Sequence, residues 1–191
     1  MQTTSMTLLE RLREPQNDAA WDRFALLYSP LLFAFARRAG MNDNDSADVV
    51  QDVFVVLMAE LPKFEYDAAR KNFRGWLKTV TVNKCRERQR RLNPVAAQGG
   101  REGGLSSVVD DATVEAFWEG EYRQRLIDQA LRLMQSDFEP QTWQAAWLAL
   151  TTDRTAAEIG QELGLAEASV WVAKSRVLRK LRQEMAGMWD E

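Results

Sequence analysis

From Ser46 to Leu61 the apolar residues Val49, Val50, Val53, Phe54, Val56, Leu57 and Leu61 return with the period of an α-helix. No stretch of the chain alternates apolar and polar residues over more than four positions. A chain patterned in this way buries its apolar surface helix against helix, so the expected fold class is all-α. Trp21, Phe24, Ala25, Leu27 and Tyr28 recur near the same spacing. Ser29-Pro30 reads as a cap followed by proline at the first position of a helix over Leu31–Ala39, closed by Gly40. Asn44 or Asp45 is expected to cap the helix over 46–61, and Pro62 to stop it. After a loop over 63–72, a helix from Phe73 to about Leu92 begins apolar (Phe73, Trp76, Leu77, Val80) and ends basic. Asn93-Pro94 interrupts the pattern, and residues 96–107 hold four glycines and little that could pack. Helical spacing resumes over Val114–Met134 and Pro140–Leu150, and two shorter helices follow. Two small helical domains, 1–92 and 114–191, are therefore expected, joined by a flexible linker over 93–113.

The 191 residues include no histidine and a single cysteine, Cys85. Catalysis by Ser-His-Asp, Cys-His or histidine-bound zinc is excluded, as are an internal disulfide and a cysteine metal cage. No metal site, no cofactor and no enzymatic activity are expected, and a lone thiol fits a reducing, cytoplasmic location. No apolar run approaches the length of a membrane span, and the first fifteen residues lack the apolar core of a signal peptide.

The formal net charge is −3, but the charge is unevenly spread. Residues 1–69 carry six basic and eleven acidic side chains; residues 70–91 carry nine basic side chains against Glu87 alone. Residues 92–122 set Arg101 against six acids. Bases gather again at Lys174, Arg176, Arg179, Lys180 and Arg182. Two cationic clusters inside an acidic protein are the footprint of a polyanion binder. Aromatic side chains among bases suit single-stranded DNA, where rings stack on bases and cations follow phosphates. Phe64 and Tyr66, in the loop before the basic helix, are the stacking candidates, whereas Phe73 and Trp76 are expected in the core.

Thr155-Ala-Ala-Glu158 has the form of a capping box. The helix that it opens contains Gly160, small enough for close approach, and ends at Gly164, where a left-handed turn is needed. A second helix from Glu167 turns Val170, Val177, Leu178 and Leu181 inward and its bases outward. This is the spacing of a helix-turn-helix, whose second helix enters the DNA major groove. Trp171 follows the buried Val170 and is expected on the outer face. It could meet a thymine methyl or sugar, dock on a protein, or cover a neighbouring helix.

Taken together, these strings resemble the bacterial extracytoplasmic-function sigma factors, the smallest sigma-70 proteins. The resemblance rests on Asp48-Val-Val-Gln-Asp-Val-Phe54, Phe73-Arg-Gly-Trp-Leu77, Asn83 with the bases after it, and Lys174-Ser-Arg176, and covers about residues 20–92 and 120–186. It implies that Asp48, Gln51, Asp52 and Met58 dock on the β′ clamp helices of core RNA polymerase. It implies that Phe64, Tyr66, Arg70, Lys71, Asn83, Lys84, Arg86 and Arg88 bind the −10 element of promoter DNA. Glu167, Ser169, Trp171, Lys174, Ser175, Arg176 and Arg179 would serve the −35 element, with that domain also on the β flap. An anti-sigma factor is a further partner that the resemblance admits. In this chain Trp171-Val-Ala173 separates the buried valine from Lys174-Ser-Arg176, which lies near one helical turn later than in many family members. The acidic stretch 110–121 is a candidate to fold back on a basic DNA face when polymerase is absent.

A free-standing helix-turn-helix regulator with an N-terminal sensor or dimerisation domain is the alternative. It accounts for the C-terminal motif but leaves the basic, aromatic helix over 73–92 and the acidic face over 48–58 without a purpose.

Overall fold

The computed structural model describes residues 7–14, 16–61, 73–92, 109–186 and 188. Every regular element among them is helical, as the apolar period requires. In chain order these are α1 (Leu8–Arg11), α2 (Asp18–Arg38), α3 (Asp43–Glu60), α4 (Phe73–Leu92) and α5 (Asp111–Glu115). A π-helical segment (Ala116–Glu121) follows, then α6 (Tyr122–Met134), a 3-10 turn (Gln135–Asp137), α7 (Pro140–Thr151), α8 (Ala156–Leu163) and α9 (Glu167–Met185). The described residues divide into two compact units, one drawn from within 9–127 with Met188, the other from 128–186 with Thr7 and Leu8.

In the first unit α3 packs on α2 and on α4. Its centre is aromatic. Phe24 stacks on Tyr28 with ring centroids 4.4 Å apart, and Phe54 and Phe73 meet Phe24 edge-on at 5.9 and 6.0 Å. Phe73 is fully buried, as expected, while Trp76 lies beside it at 5.9 Å and is half-buried. The expected helix start at Leu31 is corrected: α2 runs unbroken from Asp18 through Pro30 to Arg38. Proline inside a helix removes one backbone bond and costs about 3 kcal/mol. Phe24, Leu27 and Tyr28 before it, and Leu31, Leu32 and Phe35 after it, are all buried on one stripe, and that burial outweighs the loss. The cap of α3 is also corrected. Asn42, not Asn44 or Asp45, accepts the amide of Asp45 at 2.8 Å, and Asp45 stands in the first turn. Pro62, expected to stop α3, lies outside the described residues, as does 93–108 of the expected linker.

Helical structure after the glycine-rich stretch begins three residues before the expected Val114. Asp110 caps α5 by accepting the Thr113 amide at 2.7 Å, and that bond holds its carboxyl below the usual range. The π-helical widening accompanies burial of two consecutive large residues, Phe117 and Trp118, which an ordinary turn would point in different directions.

In the second unit α9 packs across α7 and α8. Ala156, Ile159 and Val170 form a buried cluster, flanked by Leu148, Ala149, Leu163 and Leu165. The Thr155–Glu158 box is complete: the Thr155 oxygen accepts the Glu158 amide and Glu158 accepts the Thr155 amide at 2.8 Å. Gly164 closes α8 with φ of +66°, in the left-handed region, and its amide bonds the carbonyl of Gly160. A side chain at 160 would meet the Leu165 carbonyl at 2.6 Å, so the turn requires glycine there.

Candidate nucleic-acid interface

The basic character of α4 follows from its burial pattern. Phe73, Leu77, Thr81, Val82 and Cys85 face the core, and the Thr81 hydroxyl is satisfied by the Leu77 carbonyl at 2.7 Å. Burial pushes the Cys85 thiol up to about 12, so it stays protonated and unreactive. Bases therefore occupy the remaining faces. Asn83 and Arg90 are exposed, and Lys84, Arg86 and Arg88 are half-buried.

These cations differ in what holds them. Arg88 reaches back to α3: its Nε donates to Asp45 at 2.8 Å and its Nη2 approaches Asp45 and Asp48. Hydrogen bonding to Asp45 raises the Arg88 pKa further. Lys84 pairs with Glu87 at 3.0 Å, and that hydrogen bond, with the charges of Lys84 and Arg91, lowers the Glu87 carboxyl. Arg86 pairs with Asp111 at 2.9 Å. Asp48, assigned to docking by resemblance, and Arg88, assigned to DNA, thus meet one another. Arg74 and Lys78 lie on the same helix, half-buried, and pair with Glu119 and Glu115. The site set inferred from sequence omitted them, although their four-residue spacing marks a shared face. Phe64, Tyr66, Arg70 and Lys71 lie outside the described residues.

On α3, Asp48, Gln51, Asp52 and Met58 share one side at intervals of three, four and ten residues. Val55 joins them and is 68% exposed; Met58 is 59% exposed. Val55 stands off the apolar stripe of Val49, Val50, Val53 and Val56, which is the sequence signal that it points outward. An exposed strip of two apolar side chains among carboxylates and an amide suits a protein dock with a charged rim.

On α9, Glu167, Ser169, Trp171, Ser175, Arg176 and Arg179 are exposed and Lys174 is half-buried. Trp171 is 53% exposed, so it is not covered by a neighbouring helix. Its indole N–H donates to Glu167 at 3.4 Å, and the Lys174 ammonium lies 5.6 Å from the ring centroid. Val172, 48% exposed, widens the apolar part of this face. The displaced Lys174-Ser-Arg176 string splits around the helix, with Lys174 beside Trp171 and Arg176 on the flank of Ser169. No helix among the described residues is long and apolar enough to cross a membrane.

Residues 24–94 match the family model described as Sigma-70 region 2, a span of less than half the chain. That span takes in α3 with its exposed face and the whole of α4, and it supports a sigma-70 family sigma factor. No curated protein and no solved structure matches the chain.

Proposed function

We propose that the chain is an RNA polymerase sigma factor of the extracytoplasmic-function type, a promoter-recognition subunit with no catalytic site of its own. The observation that carries this is the coincidence of the Sigma-70 region 2 match with two surfaces on adjacent helices. One is the exposed Gln51–Asp52–Val55–Met58 face of α3; the other is the basic side of α4. On this proposal residues 1–92 dock on the β′ clamp helices and hold the unpaired −10 strand. The C-terminal helices present α9 to the −35 duplex and meet the β flap, and the glycine-rich stretch belongs to the connection between the two parts. Phosphate contacts position each part and base contacts specify, so two weak sites joined in one chain reach useful affinity together. The protein would work in the cytoplasm, where polymerase and promoter are, and an anti-sigma factor could hold it in reserve.

Capture of core RNA polymerase by the purified chain tests this. Retention of core enzyme, lost at high salt, is the expected result. A chain that ignores core enzyme yet binds a promoter duplex tightly by itself is instead the free-standing regulator.

A further inference from the structure

The acidic segment that follows the glycine-rich stretch lies along the basic helix. Asp111, Glu115 and Glu119 stand four residues apart, and each meets a cation of α4. Asp111 pairs with Arg86 at 2.9 Å, Glu115 with Lys78 at 2.8 Å and Glu119 with Arg74 at 2.7 Å. The order is reversed between the two, so the segment runs antiparallel to α4. Its start is tied by the Val109 amide, which donates to the Gln89 side chain at 3.0 Å, and Arg74 also donates to the Trp118 carbonyl. The opposite side of the segment is apolar and buried. Phe117 and Trp118 meet Phe35 of α2 at 5.2 and 5.8 Å, and the Tyr122 hydroxyl lies 3.2 Å from that of Tyr28.

We propose that residues 109–121 form an acidic strap, which occupies Arg74, Lys78 and Arg86 as an internal substitute for a phosphate backbone and must be displaced before nucleic acid can use this side of α4. The inference rests on the assignment of α4 to DNA binding and adds its regulation. Three carboxylates spaced along one face are a short polyanion, and they compete with phosphates for the same cations. The Asp111 and Glu115 side chains are 95% and 63% exposed, so their pairs are weak one by one and screened by salt. Arg88 and Lys84 are held by α3 and by α4 itself, so the strap leaves their partners unchanged.

The test compares the full chain with its D111N/E115Q/E119Q variant, without polymerase, by fluorescence anisotropy of a labelled single-stranded oligonucleotide of mixed sequence. Loss of three competing ion pairs should tighten binding about five- to tenfold at moderate salt. Equal affinity, or no binding by the neutralised variant, overturns the strap. Because the variant could lose stability, hydrogen exchange in the wild-type chain provides a second reading. Peptides over 109–121 should exchange faster once the oligonucleotide is saturating, and unchanged exchange overturns the proposal. Capture of core polymerase is measured in parallel. If neither protein binds core enzyme while the oligonucleotide results hold, the strap stands and the sigma-factor assignment falls.

Discussion

The guanidinium of Arg88 donates through Nε to a carboxylate oxygen of Asp45 at 2.8 Å, joining α4 to the first turn of α3. Asp45 is only 7% exposed, and its other oxygen accepts from the Asn42 amide group at 2.7 Å. The cation is therefore part of the packing of α3 on α4 as well as part of a basic surface. Arg88→Ala should lower unfolding free energy by about 2 kcal/mol, because a nearly buried carboxylate loses its partner. Arg90→Ala, on the exposed side, should change it by less than about 0.5 kcal/mol. Urea unfolding of both variants checks this; equal midpoints would show that Asp45 is satisfied without Arg88.

The turn between α8 and α9 gives a steric prediction. A methyl group at position 160 would sit 2.6 Å from the Leu165 carbonyl, and backbone must move to admit it. Gly160→Ala should destabilise the unit by about 1–3 kcal/mol. Gly164→Ala should cost about 1 kcal/mol, because φ there is +66°. Thermal unfolding by circular dichroism distinguishes both from wild type, and an unaffected Gly160→Ala would mean that the turn is looser than described.

Much of this turn is legible in the sequence, since Thr155, Glu158, Gly160 and Gly164 act on neighbours within a few residues. The bounds of α4 and α7 are legible for the same reason. Pro30 is not, because the buried stripe on both sides of it decides the outcome and local preference points the other way. The pairing of Arg88 with Asp45 spans 43 residues, and that of Lys78 with Glu115 spans 37. A charge tally marks both partners as charged but carries no signal of which meets which.

The capping box predicts a pH response. Hydrogen bonds from the Thr155 amide and hydroxyl lower the Glu158 carboxyl below its ordinary value of 4.5. The folded state therefore favours the ionised form. That contribution is present above the ordinary value and is lost as pH falls through the lowered one. Glu158→Gln should flatten this part of the acid unfolding curve, and Thr155→Ala should cost about 1 kcal/mol at neutral pH. An acid curve unchanged in Glu158→Gln would contradict the assignment.

The exposed side of α3 predicts a binding defect without a folding defect. Gln51 is exposed and Asp52 is half-buried, so both side chains reach the surface of α3. Gln51→Ala with Asp52→Ala should weaken capture of core polymerase about tenfold, or ~1.4 kcal/mol, at unchanged stability. An unchanged binding constant would remove this face from the dock.

Trp171 carries the corresponding prediction for α9. Its ring is half open and rests on Glu167 and Lys174, so Trp171→Ala should leave stability within about 0.5 kcal/mol. Binding of polymerase loaded with the chain to a −35-containing duplex should weaken. Unaltered binding would leave the tryptophan as exposed surface only.

Runoff transcription of genomic fragments by purified core RNA polymerase, with and without the chain, tests the central proposal most directly. Discrete transcripts that start only when the chain is added are the predicted result. Core enzyme that produces the same products with and without it would contradict a promoter-recognition subunit.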